Sequence, residues 1–231
     1  MCGRFSETAK IEKISRAFGI PKEKIPALTP RYNIAPSQNI AAIIQESGKE
    51  REIQLFRWGL TPSWSKDPAI RNKMINARAE TLMTQPSFSR PLKKNRCLVI
   101  ADGFFEWKKE ERASKPYYIR LKSGDLFTFA GLWDEWKDPS GRPLRPCTII
   151  TGEPNELIRP IHNRSPVILP KPHRDLWLDP DATNLEELVS LLNPYPAGEM
   201  DAYPVSTLVN SADHDIPECI QELKGLSFIE D

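Results

Sequence analysis

The sequence lacks most of the signals that sort proteins into common classes. No apolar run approaches the ~20 residues needed to cross a bilayer; the longest, such as Cys97 to Ala101 with Phe104 and Phe105 just after, fall far short. The leading MCGRFSETAK has no apolar core of a secretory signal, so a cytoplasmic, non-membrane protein is expected, nucleoid-associated if the source is bacterial. Four cysteines, at 2, 97, 147 and 219, form no Cys-x-x-Cys pair and have no histidine at ligand spacing, which argues against a structural zinc. There is no Gly-rich phosphate loop, no Gly-x-Ser-x-Gly elbow and no His-Glu-x-x-His, which sets aside the common nucleotide, hydrolase and zincin readings. No metal or cofactor is expected. Histidine is scarce as well: only His162, His173 and His214 could supply an imidazole.

What is present suits a globular chain of 231 residues, 39% hydrophobic and 27% charged, enough apolar material for one domain spanning 1–231. The formal net charge of +1 conceals an uneven distribution. Residues 57–109 carry eleven basic against four acidic side chains, whereas 179–231 carry twelve acidic and one basic. Such asymmetry accompanies nucleic-acid contact on one face, or simply two solvated surfaces of opposite sign.

Apolar spacing predicts a helix over 8–18, capped by Ser6 or Thr8 and stopped by Gly19. Strand-like segments follow at 40–45, 52–58, 97–102, 117–121, 127–132 and 147–151; helical patterns return at 155–161, 172–177 and 185–192; a last extended piece covers 202–206. Strands massed in the middle with helices at the edges imply an α+β domain. Cys97, Cys147 and Cys219 read as small buried hydrophobes, whereas nothing around Cys2 resembles a core strand.

Position 2 carries the most distinctive chemistry. A small second residue permits removal of Met1, leaving Cys2 with a free α-amine beside its thiol. The amine, with a reference pKa of ~7.7 to 8.0, attacks an aldehyde to give an imine, and the thiol then closes a five-membered thiazolidine. The alternative is a cysteine that happens to stand at a frayed terminus. In ADGFFEWKK, Glu106 is flanked by Phe104, Phe105 and Trp107, which would desolvate its carboxyl and raise its pKa for proton exchange; the bland reading pairs it with Lys108 or Lys109. Asn76 and Arg78, two apart in an extended segment, would point the same way. His162 sits between Pro160 and Pro166, a rigid turn into an apolar strand, while His173 and His214 read as surface residues. Trp58 and Trp64 interleave with Arg57, Lys66, Arg71 and Lys73, the pairing of ring faces and cations used on single-stranded nucleic acid; Trp58 is expected in the core and Trp64 outside it.

MCGRF, RYNIAPSQ, RWGL, INARAET, ADGFFEW, TIIT, IHNRSPVIL and VSTLVN, in order between residues 2 and 210, resemble the SOS response-associated peptidase (SRAP) family. The resemblance covers nearly the whole chain and implies a strongly bent, barrel-like mixed or antiparallel sheet flanked by helices. It implies that Cys2, freed of Met1, forms a thiazolidine with the ring-opened aldehyde of an abasic site in single-stranded DNA, in repair or the SOS response. Asn76 would position the sugar, and Glu106 and His162 would move protons. Arg4, Asn33, Pro36, Trp64, Arg71, Arg78, Arg90 and Thr151 would form the DNA side. Pro86 and Leu208 stand where some relatives carry basic residues. A monomer is expected, with replication-fork proteins as further partners. Two other readings stay open: a cysteine peptidase built on Cys2, His162 and Asn76, and a non-catalytic reader of damaged or modified DNA.

Overall fold

The computed structural model describes residues 2–111 and 113–223. Its strands, in chain order, are β1 (Arg4–Glu7), β2 (Arg31–Ile34), β3 (Asn39–Ile44), β4 (Glu52–Trp58), β5 (Asn76–Arg78), β6 (Arg96–Ala101), β7 (Gly103–Lys109), β8 (Ser114–Leu121), β9 (Phe127–Trp133), β10 (Trp136–Lys137), β11 (Pro143–Leu144), β12 (Pro146–Gly152), β13 (Ser165–Pro166) and β14 (Met200–Pro204). The α-helices are α1 (Ile11–Phe18), α2 (Pro86–Lys94), α3 (Arg174–Leu178) and α4 (Leu185–Ser190).

One sheet closes on itself. β12 pairs with β4, β4 with β3, β3 with β6, β6 with β9, and β9 returns to β12; only the β12–β4 step of this ring is parallel. The expected barrel-like mixed sheet is therefore present, and closure removes the unpaired strand edges that an open sheet exposes. Every residue of β6, β9 and β12 is buried, so these strands are covered on both faces and read as continuous apolar runs rather than alternations. Alternate residues serve two cores. Ala41, Ile43, Leu98, Ile100 and Leu132 pack with Ile14, Phe88, Leu92, Trp177 and Leu188 of the helical segments. Ile40, Ala42, Val99, Phe129 and Ile149 face the other way, onto Phe5, Phe104 and Ile119.

Those last three residues belong to the second layer, a five-stranded sheet in the order β14-β8-β7-β1-β2. Edge-on aromatic contacts bind it to the ring: Phe5 lies 5.3 Å from Trp58 and 5.8 Å from Phe129, and Phe104 lies 5.9 Å from Phe129. β1 is an inner strand, with β2 on one edge and β7 on the other.

Several sequence expectations need correction. The segment behind Cys2 is a core strand after all, because pairing on both edges buries Phe5, Ser6 and Glu7, only one of which is a large apolar residue. The first helix starts at Ile11, with Lys10 at its N-terminus and no side-chain cap; Ser6 and Thr8 are instead hydrogen-bonded to Asp102, at 2.6 and 2.7 Å. Gly19 does end it, in the left-handed region at φ 67°. Segment 155–161 forms turns rather than a helix, with the Asn155 side chain accepting from the Ile158 amide. Helix α2, entered through Pro86 and containing Pro91, has no counterpart among the expected helices. Gly103 is required by a close approach: a Cβ there would fall 2.1 Å from the Tyr118 ring, whose hydroxyl bonds Ser6.

Candidate active site

Cys2 lies two residues ahead of β1, completely buried, in the layer between the two sheets. Its Sγ faces the Arg4 carbonyl at 3.8 Å. Burial, reinforced by the negative charge of Glu106, pushes the thiol well above its ordinary pKa. The residue is thus held as a thiol.

Glu106 is brought here by register. β1 and β7 pair with Arg4 opposite Phe105, which carries the residues just ahead of β1 alongside Glu106. The carboxyl is 1% exposed, and burial among Phe104, Phe105 and their neighbours raises its pKa to about 7. The expected desolvation is realised, and a carboxyl so poised exchanges protons near neutrality.

His162 arrives from the opposite layer, on the turn between β12 and β13. Its Nδ1 accepts the Arg164 amide at 3.0 Å and lies 3.8 Å from Glu106 Oε2. An Nδ1 that accepts leaves the ring proton on Nε2, in keeping with a pKa lowered chiefly by burial.

Asn76 begins β5, which runs parallel to β12 with Asn76 opposite Ile149 and Arg78 opposite Thr151. Its Nδ2 reaches the Ile149 carbonyl at 3.4 Å, while its buried Oδ1 has no hydrogen-bond partner among the described residues. An amide oxygen left unmatched in a buried place is suited to a ligand hydroxyl.

The residues expected to face DNA divide into two groups. Arg4 and Asn33 are committed within the protein. Arg4 Nη1 donates to Asn33 Oδ1 (2.9 Å) and the Val209 carbonyl (2.6 Å), and Nη2 donates to the Asn210 carbonyl; Asn33 Nδ2 donates to the carbonyls of Val209, Ser211 and His214. Thr151 is fully buried, with Oγ1 at 3.5 Å from the Ala77 carbonyl. These three hold elements together. Arg78 is exposed, Arg71 half-buried and Trp64 59% exposed, whereas Trp58 is wholly buried as expected. Pro36 sits half-buried in a turn beside Ser37, whose φ of 71° is left-handed. Arg90 donates to Ser63 Oγ at 2.9 Å and lines a cleft of about 850 Å³ to which Cys2, Glu106 and His162 do not contribute. Arg96, one of the eleven basic residues of the middle segment, is buried and bonded to four carbonyls, so it adds nothing to a basic surface.

Sequence reasoning missed Arg164 and Glu80. The Arg164 guanidinium grips both oxygens of Glu80, and its Nη2 also donates to the Thr151 carbonyl at 2.6 Å. This ties the His162 turn to β12 and to the segment after β5. The only signal was an Arg two residues beyond the histidine. Among the described residues no group of three or more His, Cys, Asp or Glu is placed to hold a metal, and no helix is long and apolar enough to cross a membrane.

A closed ring of strands under a second sheet, with an N-terminal cysteine, a buried glutamate and a histidine meeting between them, defines a member of the SRAP class. The match to the model of the SOS response associated peptidase family extends over residues 1–212, and the chain belongs to that family. Among its relatives is the abasic site processing protein YoqW of Bacillus subtilis, 49% identical over 224 residues that cover 96% of this chain and 99% of YoqW. The abasic site processing protein HMCES of Gallus gallus is 34% identical over 222 residues, 83% of this chain and 66% of HMCES. A crystal structure of a protein from Bacteroides thetaiotaomicron superposes with a TM-score of 0.83 at 30% identity, covering 96% of this chain and 99% of the other.

Proposed function

We propose that this protein processes abasic sites in single-stranded DNA, trapping the ring-opened sugar aldehyde as a thiazolidine on Cys2. The observation that carries the reading is the meeting of Cys2, a glutamate titrating near neutrality and a neutral histidine at one point between the sheets. Its relatives named for abasic-site processing support the same substrate.

Hydrolysis of the Met1–Cys2 bond would release the α-amine. That amine adds to the aldehyde carbon, and the resulting hemiaminal loses water to form an imine, with protonated Glu106 donating to the departing hydroxyl. The Cys2 sulfur then bonds to the imine carbon as its proton passes to the Glu106 carboxylate or His162, and the nitrogen is reprotonated. One water leaves and no oxidant is used. Asn76 Oδ1 would accept from a hydroxyl of the opened sugar, and exposed Arg78, Trp64 and Arg71 would meet the strand. The protein would act inside the cell as a monomer.

A general cysteine peptidase is less well supported. Such enzymes need a thiolate at low pKa, whereas this thiol is pushed upward, and Nδ1 of His162 faces Glu106 and the Arg164 amide rather than Asn76. Peptide cleavage would reduce to release of Met1.

Intact mass of the purified protein, alone and after incubation with an abasic oligonucleotide, tests the proposal. The expected result is loss of Met1 and a heat-stable adduct equal to protein plus DNA minus one water. Cys2→Ala should form none. A Cys2→Ala protein that still protected the lesion as well as the parent would favour the non-catalytic reader instead.

A further inference from the structure

Among the described residues Arg96 and Arg174 are buried, and they are satisfied in opposite ways. Arg96, 3% exposed, spends Nε, Nη1 and Nη2 on the carbonyls of Trp177, Leu92, Lys93 and Asp179. Arg174, 9% exposed at the start of α3, makes one hydrogen bond, from Nε to the Leu169 carbonyl at 3.3 Å, and its Cζ lies 5.4 Å from the centroid of the Phe18 ring. Among the described residues no carboxylate stands within ion-pair distance of it, and neither terminal nitrogen has a hydrogen-bond partner. A guanidinium carries five N–H donors. Nε takes one partner, and the four donors on Nη1 and Nη2, which are not closed off from solvent, are left for water or a ligand.

Arg174 and Lys171 border two clefts, one of about 170 Å³ that holds Phe18 and one of about 500 Å³, and the larger has a size that takes small ligands. Lys171, Lys122 and Tyr195 share the wall. Lys122 is committed to the Gly198 carbonyl and the Tyr195 hydroxyl to Glu199, whereas Lys171 is exposed with no partner among the described residues. The cleft is separate from the Cys2 site: it is bordered by Leu121, at the far end of β8 from Tyr117, the residue opposite Glu106. Four residues of strand amount to roughly 13 Å.

The geometry points to a second, independent site that binds the phosphate of a small phosphate monoester, with the Arg174 fork at its base and Lys171 at its rim. A planar fork with two free terminal nitrogens matches two oxygens of one phosphate, and a mobile ammonium at the mouth adds charge without fixing geometry. Asp125 and Glu199, also on the cleft wall, would repel a second anionic group, which favours a monophosphate over a polyphosphate.

Titration calorimetry on the full chain, at constant ionic strength, tests this with inorganic phosphate, adenosine 5′-monophosphate and acetate. Expected are saturable one-to-one binding of both phosphates, much weaker binding of acetate, and a loss of about tenfold in affinity in Lys171→Glu, an exposed position that leaves the fold intact. Arg174→Gln, where circular dichroism shows it folded, should abolish binding; where it is unfolded, Lys171→Glu decides. Lys171→Glu should form the DNA adduct as the parent does. Absence of saturable phosphate binding, equal affinity for acetate, or unchanged affinity in Lys171→Glu would overturn the assignment.

Discussion

Glu106 Oε2 lies 3.8 Å from His162 Nδ1, although the two residues are delivered by different sheets. Burial raises the carboxyl to about 7, so that it is about half protonated near neutrality, and burial lowers the imidazole, which favours its neutral form. On the proposed chemistry, adduct formation should slow as pH rises through about 7, because the carboxyl loses the proton it would donate to the departing hydroxyl. Glu106→Gln should be slower by about 10²-fold, the usual scale of general acid–base catalysis, and should lack that limb of the pH profile. A limb that persisted in Glu106→Gln would assign it to another group.

Glu7, at the end of β1, is 5% exposed, and burial together with the neighbouring charge of Asp102 raises its pKa to about 8. In the unfolded chain a glutamate titrates near ~4.3. Between these values the native state holds a proton that the unfolded state has lost, so stability falls as pH rises and levels off above about 8. Glu7→Gln should leave the melting temperature little changed at pH 4 and raise it at pH 9, by a stabilisation on the order of 1–3 kcal/mol. Thermal melts across that range check the sign.

The segment after β14 is fastened to β1 and β2 by buried polar groups. Asn33 donates to three carbonyls there, and Asp215 accepts from the amides of Tyr32 and Asn33 and from Arg31. Asn33→Ala should cost about 1–3 kcal/mol by urea unfolding, since the Ser211 carbonyl and Arg4 would each lose a partner, while the Val209 and His214 carbonyls keep Arg4 and Cys219. A cost within experimental error would show that this fastening is dispensable.

Exposed Arg78 should contribute through charge. Affinity for single-stranded DNA is expected to fall with salt, with log–log slope changing by about 0.7 per phosphate contacted. Arg78→Ala should reduce that slope by about one such step. No such step is expected from Arg96, which is 3% exposed and has four of its five donors taken by carbonyls inside the fold. Titrations of an abasic-free oligonucleotide at several salt concentrations measure the slope, and an unchanged slope in Arg78→Ala would remove this residue from the DNA face.

Much of this architecture is written locally. Segment 52–58 is legible end to end as a strand because its apolar positions are bracketed by Gly48 and Gly59, and the other strands of the ring announce themselves as apolar runs. β1 does not, since RFSE holds one large apolar side chain and owes its burial to partners about 30 and 100 residues away in the chain. Prolines at 86 and 91 mask α2. At the site, Glu106 is legible because its desolvating neighbours are adjacent in sequence. The grip of Arg164 on Glu80 is not, because it joins residues 84 apart, and neither is the inward commitment of Arg4 and Asn33, which from sequence look like surface donors.

An inner strand cannot be moved without breaking hydrogen bonds on both of its edges, and β1 is such a strand. Cys2, just ahead of this strand, is buried beside Glu106. On the proposed chemistry a leading tag would leave the Cys2 nitrogen in an amide, unable to add to an aldehyde, so purification handles belong at the carboxyl end.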